Sequence, residues 1–448
     1  MTNPIIQPRT LKGFRDFLPE TMLPRESLIE ICKRVYRSYG FAPIDTPALE
    51  LFEVLTGKGS EETDRQMYHF MDQGERHVGL RFDLTVPLAR FVAQHSANLG
   101  MPFKRYHIAS VWRGESPQAG RFREFMQCDF DTIGTTSLTS DIETGLVIVD
   151  LLRAIGFEDF QVRINNRKVL NGILDKFGLL EKSTHVLRAI DKLPKAGRAA
   201  VTRELTETAQ LNDEQIAAIL KIAELSGENA HVLQQLEEMS SGNELAETGC
   251  HELRMLVDAY VDLKVDDRIR LDPSIARGLD YYTGTIFETF LTAKPEIGSV
   301  CSGGRYDNLA ELFTKEQLPG IGASLGLDRL LAAMELLEML PTAKTPAQVM
   351  IANFRAEDVP RYLQIARWLR SGGLNVEVYP DTKKLGNQFK FADRRQFAVV
   401  IVAGPDELAA NQVQVKWLAD SSQEVVSIVD QGQTLAHRLL EKLKFVTA

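Results

Sequence analysis

Residues 103–133 read Phe103-Lys-Arg-Tyr-His-Ile-Ala-Ser-Val-Trp-Arg113, then Gly114-Glu-Ser-Pro-Gln-Ala-Gly120, then Arg121-Phe-Arg-Glu-Phe125-Met-Gln127-Cys-Asp129-Phe-Asp131-Thr-Ile133. The spacing predicts two antiparallel strands, 103–113 and 123–133, joined by the polar loop. That loop is too long for a tight turn, and long loops at the ends of strand pairs are where function concentrates. Strand side chains alternate between faces, so Phe125, Gln127, Asp129 and Asp131 share one face and Met126, Cys128 and Phe130 the other. Three polar groups opposite an apolar face fit a solvent-facing strand or the floor of a polar pocket. Neighbouring strings favour the pocket: Arg113-Gly-Glu115 ends the first strand, and Arg81-Phe-Asp83-Leu-Thr85 adds a carboxylate and a hydroxyl. Carboxylates and an amide facing one site suit an ammonium and a ring N–H together.

Working outward, Leu28, Ile31, Cys32, Val35, Tyr36 and Tyr39 recur at helical spacing until Gly40, ahead of a strand ending near Pro47. Residues 166–262 change to helical segments rich in Glu, Lys and Ala, as an insertion between two halves of a β-rich domain. Strand signals return at 284–291 and 297–303, and 327–340 reads as a helix with Leu330, Leu331, Met334 and Leu337 on one face. A linker is expected at 341–347. Beyond it, strands at 348–353, 375–379, 397–403, 412–417 and 424–429 alternate with helices at 358–370, 387–395 and 433–443, the pattern of a small α/β domain. The fold class expected is α+β.

With 448 residues, the chain exceeds one ordinary core, and two or three domains are expected. Apolar content of 44% and charged content of 25% are those of a globular chain, and no apolar run approaches the ~20 residues that span a bilayer. The start, Met-Thr-Asn-Pro-Ile-Ile-Gln-Pro-Arg, lacks a signal-peptide core, so a cytoplasmic protein is expected. Cys32, Cys128, Cys250 and Cys301 lie far apart with no Cys-x-x-Cys pair, so neither a disulfide framework nor a metal site is indicated. A net charge of −9 argues against non-specific coating of nucleic acid. It leaves room for a local basic face, such as Lys383, Lys384, Lys390, Arg394 and Arg395 opposed only by Asp381 and Asp393; such a stretch is also common as a solvated helix face.

A second string, Arg277-Gly-Leu-Asp-Tyr281-Tyr282, sets a permanent planar cation beside two apolar walls with polar tips. Arg113, Arg121, Arg277 and Arg329 are natural partners for a polyphosphate, each offering a forked pair of donors. Any one of them alone reads as structural; four beside a loop, a glycine-rich turn and carboxylates point to a site. Arg329 falls in the first turn of the helix after Gly320-Ile-Gly322-Ala-Ser-Leu-Gly326, and helix N-termini favour anions. Those glycines are spaced one residue too far for a dinucleotide-binding fingerprint and no βαβ unit follows, while Thr56-Gly-Lys58-Gly lacks the residues of a P-loop. No nucleophile elbow or His cluster suggests hydrolase or zinc chemistry.

In this order the strings resemble the histidyl-tRNA synthetases, class II aminoacyl-tRNA synthetases, over nearly the whole chain. Lys12-Gly-Phe-Arg-Asp16-Phe-Leu-Pro19 is similar to the family's N-terminal signature, and the helix and strand ending at Pro47 to class II motif 1. Arg113-Gly-Glu115 with Arg121 and Phe125 resembles motif 2, and Gly320 to Arg329 resembles motif 3. Arg277 to Tyr282 and Ser302-Gly-Gly-Arg-Tyr306-Asp resemble the two histidine-specific motifs. The resemblance implies a homodimer whose antiparallel catalytic sheet, from 1–165 and 263–340, uses ATP with Mg2+ to activate L-histidine and charge tRNA(His). It also implies that 348–448 is an anticodon-binding domain. By motif position, Arg113, Glu115, Arg121, Phe125 and Arg329 bind ATP, and Asp83, Thr85, Gln127, Asp131, Tyr281 and Tyr282 bind histidine. Arg277 and Arg113 are the catalytic pair, and Gln118, Lys383, Lys384, Lys390 and Arg394 contact tRNA. Two departures stand out: Asp83 replaces the Glu of many bacterial members, as in the eukaryotic-like branch, and Ser116 stands where a basic residue often precedes Pro-Gln.

The competing class is a non-catalytic paralogue, the histidine-sensing regulatory subunit of ATP phosphoribosyltransferase. Such proteins generally lack the C-terminal domain and lose catalytic arginines, whereas this chain has Arg113, Arg277 and about 100 residues after the linker. A synthetase-like signalling or binding protein is a third class, with no string in its favour.

Overall fold

The computed structural model describes residues 6–56, 65–116, 120–276, 281–340 and 343–446. Two compact units are formed, Met1–Arg15 with Leu28–Met339 and Asp16–Ser27 with Leu340–Ala448. Among the described residues no helix is long and apolar enough to cross a membrane.

The larger unit is organised by an eight-stranded sheet in the order β1-β5-β6-β11-β10-β9-β7-β8. Here β1 is Ala42–Pro43, β5 Phe103–Trp112, β6 Glu124–Ile133, β7 Phe160–Asn166, β8 Ile269–Leu271, β9 Thr285–Leu291, β10 Cys301–Tyr306 and β11 Gly320–Gly326. From β5 to β7 each neighbouring pair is antiparallel, while β1 and β8 join the edges in parallel. The mixed α+β class and the antiparallel pair predicted over 103–133 are both observed, with Arg105 opposite Asp131 and Ala109 opposite Gln127. The alternation has its expected consequence. Phe130 packs on Tyr36 of the helix Pro19–Ser38, ring centroids 5.1 Å apart, and the Tyr36 hydroxyl donates to the Cys128 carbonyl at 2.9 Å. The opposite face of β6 is thereby left to the polar side chains.

Three sequence expectations shift. The glycine-rich turn at 320–326 is a central strand, β11, lying between β6 and β10. Its glycines serve close approach: a Cβ on Gly322 would sit 2.2 Å from the Phe130 carbonyl oxygen and 2.3 Å from Asp131 Oδ1. The strand expected at 297–303 begins only at Cys301, because Pro295–Ile297 forms a 3-10 turn closed by Gly298 at φ 79°. The helix expected to reach 340 ends at Leu336, two residues before Glu338 takes a left-handed φ of 56°.

A smaller sheet, β2-β4-β3, consists of Leu49–Leu51, His77–Leu80 and His69–Met71. Helices from Arg167–Lys176 to Glu244–Asp262 fill the segment between β7 and β8, several of them started by an Asn side chain that accepts a first-turn N–H: Asn166, Asn212 and Asn243.

In the second unit the order is β13-β12-β14-β15-β16, with β12 Val349–Ile351, β13 Val376–Val378, β14 Val399–Val402, β15 Gln412–Trp417 and β16 Gln423–Ser427. The run Val399-Val-Ile-Val402 is apolar without alternation because helices cover both faces. Val399 and Ile401 pack with Tyr362, Ile365 and Leu439, while Val400 packs with Met350 and Ala392 on the other side.

The close approach at Gly322 gives a direct test. Gly322→Ala is expected to destabilise the larger unit by about 3 kcal/mol or more, through overpacking against backbone that has no room to shift, and urea unfolding measures it.

Candidate active site

Strand β6 forms the floor of a cavity of about 410 Å³. Phe125, Gln127, Asp129 and Asp131 face it in sequence, and at ~3.3 Å per residue the run spans roughly 20 Å. Because β11 is antiparallel to β6, Gly326 lies opposite Gln127 and Gly322 opposite Asp131. The two ends of the cavity therefore receive different chemistry.

The Asp131 end is acidic and aromatic. Asp131 accepts from the Tyr306 hydroxyl and forms a 2.6 Å ion pair with Arg105, whose side chain is 0% exposed. Burial raises the Asp131 carboxyl above its ordinary range and the Arg105 charge opposes that rise. Asp83 Oδ1 accepts the N–H groups of Thr85 and Val86 at 3.0 and 2.9 Å, which fixes the start of the helix Thr85–His95. Gln127 Nε2 donates to Ser324 Oγ at 2.7 Å. Tyr281 packs edge-on against Tyr282 and Tyr306, with centroids 5.1 and 5.8 Å away. Burial pushes both Tyr281 and Tyr282 well up, so their phenols stay neutral donors at any working pH.

Between these groups lies Asp129. Burial pushes its carboxyl up to about 7; Arg105 opposes the shift and Asp131 adds to it. Among the described residues its Oδ1 and the Oε1 of Gln127 are buried without a hydrogen-bond partner, so the floor strand carries two unsatisfied acceptors.

The Phe125 end is cationic. The Arg113 guanidinium lies 4.3 Å from the Phe82 ring centroid and 5.1 Å from that of Phe125, and its Nε donates to the Phe82 carbonyl at 3.1 Å. Arg121 Nη1 stands 3.7 Å from Glu115 Oε2. Arg329, in the first turn of the helix Leu327–Leu336, donates Nη1 to the Ser299 carbonyl. All three arginines and Glu115 line the cavity, at a helix N-terminus where anions are favoured.

The structure thus brings together Asp83, Thr85, Arg113, Glu115, Arg121, Phe125, Gln127, Asp131, Tyr281, Tyr282 and Arg329. Arg277 and Gln118 lie outside the described residues. Lys383, Lys384, Lys390 and Arg394 are exposed on and beside the helix Leu385–Arg395 of the other unit. Sequence reasoning left Asp129, Ser324, Tyr306 and Asp328 without a site role, although all four line the cavity. Alternation along β6 places Asp129 on the right face, and the motif-like strings 302–307 and 320–329 enclose Tyr306, Ser324 and Asp328; the Arg105 that holds Asp131 carried no signal.

A mainly antiparallel sheet flanked by helices, with arginines gathered at one end of its cavity and carboxylates at the other, is the architecture of the class II aminoacyl-tRNA synthetases. A family profile described as histidyl-tRNA synthetase matches residues 13–330, and one described as anticodon binding domain matches 348–437. The histidine–tRNA ligase of Rhodopirellula baltica is 57% identical over 424 residues, covering 94% of this chain and 96% of that protein, and that of Clostridium tetani is 42% identical over 434 residues, covering 96% and 98%. The crystal structure of the histidyl-tRNA synthetase from Nostoc superposes with a TM-score of 0.88 at 37% identity, over 98% of this chain and all of that one (100%). A Bacillus halodurans structure described as an ATP phosphoribosyltransferase regulatory subunit/histidyl-tRNA synthetase shares the fold at a TM-score of 0.75 and 23% identity, covering 90% of this chain and 100% of its own. The chain belongs to the histidyl-tRNA synthetase family.

The Asp129 environment sets a pH dependence. The folded chain holds this proton up to about pH 7, whereas an unfolded aspartate releases it near 4, so its contribution to stability falls as pH rises through that window. Asp129→Asn removes the burden: at pH 8 the variant is expected to be more stable than the parent by up to ~4 kcal/mol, and at pH 4 the difference shrinks toward zero. Urea titrations at the two pH values measure it.

Proposed function

We propose that the cavity joins L-histidine to ATP in line along β6, forming histidyl-adenylate and then charging the 3′ end of tRNA(His). The observation that carries this is the sorting of charge along one strand, with carboxylates and phenols at one end and guanidinium groups at the other. A carboxylate oxygen of histidine attacks the α-phosphorus, the bond to the β-phosphate bridging oxygen breaks, and pyrophosphate leaves. A ribose hydroxyl of the tRNA then attacks the adenylate carbonyl and AMP departs.

In this reading Asp83, Thr85 and Gln127 hold the ammonium end of histidine, and Asp131, Tyr281 and Tyr282 its ring. Arg113 and Phe125 take the α-phosphate and adenine, and Glu115, Arg121 and Arg329 the rest of the nucleotide. Mg2+ brought in with ATP would share the phosphate charge, with Glu115 as the carboxylate at that end of the cavity that would hold it, and Arg277 stabilises charge that develops at the attacked phosphorus. No side chain needs to become covalently attached, so catalysis is positioning and charge stabilisation. The regulatory-paralogue alternative has weaker support, because the family match continues through residues 348–437 and the relatives at 57% and 42% identity are ligases.

We assign tRNA contact to Lys383, Lys384, Lys390 and Arg394 and to Gln118, residues 166–262 to a helical insertion, 341–347 to a linker, and the cytosol to the protein's location. The small sheet exposes Leu49, Leu51 and Phe70 on one face, an apolar surface that suits the dimer expected of the family, a state sedimentation equilibrium tests.

Histidine-dependent exchange of labelled pyrophosphate into ATP, without tRNA, tests the activation step. Exchange with histidine alone among the amino acids is the expected result; histidine binding without exchange defeats the proposal. Arg277→Ala is expected to lower the exchange rate by on the order of 10²-fold with histidine affinity changed far less, as for a group acting on transition-state charge. For the second unit, the combined Lys384→Ala, Lys390→Ala and Arg394→Ala variant should weaken tRNA binding and flatten its salt dependence by up to about three counterions' worth of slope. An unchanged slope would remove that surface from the tRNA contact.

A further inference from the structure

Arg15 stands outside the cavity and touches two of the residues that line its cationic end. Its Nη2 donates to Asp328 Oδ1, and its guanidinium lies 3.6 Å from the centroid of the Phe122 ring. The Asp328 side chain is 1% exposed, directly precedes Arg329, and with its second oxygen accepts the Met126 N–H of β6 at 2.7 Å. Phe122 belongs to the strand-joining loop that also carries Arg121. One carboxylate therefore ties the Arg329 helix to the floor strand, and one external cation neutralises that carboxylate while stacking under the loop.

The segment that delivers Arg15 is itself seated on the loop. The Gly13 carbonyl accepts the Arg123 N–H at 2.9 Å, Arg123 Nε donates to the Glu115 carbonyl at 3.1 Å, and Gly13 has φ 87° with the Arg123 side chain 2.7 Å from where a Cβ would be. The left-handed turn and the absent side chain let the chain lie flat on Arg123.

We propose that Arg15 is a positioning residue for ATP. Resting on the reading that the triphosphate lies at the Arg121 and Arg329 end, it acts in two ways. Removing Arg15 takes a paired cation from the buried Asp328 carboxylate and makes that end of the cavity more negative, against the phosphates. Without its stack, Phe122 and the loop bearing Arg121 lose the surface that orients them. Both effects concern the nucleotide and leave the carboxylate end of the cavity alone.

The test is steady-state exchange kinetics with titration calorimetry of ATP and of histidine. Arg15→Ala is expected to raise the KM and Kd for ATP by on the order of tenfold while those for histidine stay within about twofold, and Arg15→Lys, which keeps the charge but not the planar fork, should fall between. The double variant Arg15→Ala/Asp328→Asn is expected to recover part of the ATP affinity, because the amide still accepts the Met126 N–H and carries no charge to repel phosphate. Loss of both substrates' affinities together, an unchanged ATP constant, or no recovery in the double variant overturns the proposal. If Arg15→Ala fails to fold, Arg15→Lys alone carries the ATP-against-histidine comparison. Arg113→Ala separates the two readings: if it too leaves ATP binding untouched, the placement of the nucleotide fails, and if it weakens ATP while the Arg15 variants do not, only the role of Arg15 fails.

Discussion

Everything at the acidic end of the cavity depends on the buried pair Arg105–Asp131 and on the Tyr306 hydroxyl that completes it. Tyr306 belongs to β10 and Asp131 to β6, with β11 running between them. A phenol can cross that intervening strand only if the strand has nothing above it. Gly320 and Gly322 provide the gap: a Cβ on Gly320 would lie 2.4 Å from the Tyr306 ring, and one on Gly322 would meet the Asp131 carboxylate. The glycines thus set the height of the pocket floor, and a three-strand polar link replaces what would otherwise be side-chain packing. Such a buried charge pair is a poor source of stability, since desolvating both ions offsets most of their attraction. Its effect is orientation, because a carboxylate held from two sides by a guanidinium and a phenol has little freedom to turn.

That anchoring also explains how one strand serves two substrates. Burial raises all three carboxyls, and the fold opposes each rise: Arg105 acts on Asp129 and Asp131, and the Val86 and Thr85 N–H groups together with Arg113 act on Asp83. The acidic and cationic groups meet at Arg113, whose charge attracts Asp83 and whose Nε is tied to the carbonyl of Phe82, the residue before it, while Arg121 and Arg329 line the far end of the cavity.

How much of this was readable in the sequence follows from the range of the interactions. The β5–β6 pair, the α/β pattern after the linker and most cavity residues were legible, because alternation along a strand and motif spacing are local properties. The sequence Gly320 to Gly326 was misread as a turn for a physical reason: glycine marks both flexible backbone and close packing, and only the neighbours, here Phe130, Asp131 and Tyr306, distinguish the two. Asp129 was on the predicted face, yet its significance lies in having a buried oxygen without a partner, a property of the fold. Arg15 and Asp328 are 313 positions apart, and no periodicity links them.

The arginines of the larger unit divide by the kind of acceptor that holds them. Arg105 and Arg305 are clamped by the buried carboxylates of Asp131 and Asp141, so their charge is used within the protein and they act as struts of the sheet. Arg113 and Arg329 are oriented by backbone carbonyls, those of Phe82 and Ser299. A carbonyl tether fixes the direction of a guanidinium and leaves its net charge standing, whereas a carboxylate tether cancels it. The carbonyl tethers aim Arg113 and Arg329 before a ligand arrives, whereas Arg121 faces the Glu115 carboxylate 3.7 Å away. Arg15 belongs with the clamped class, and the carboxylate whose charge it offsets is that of Asp328, directly before Arg329.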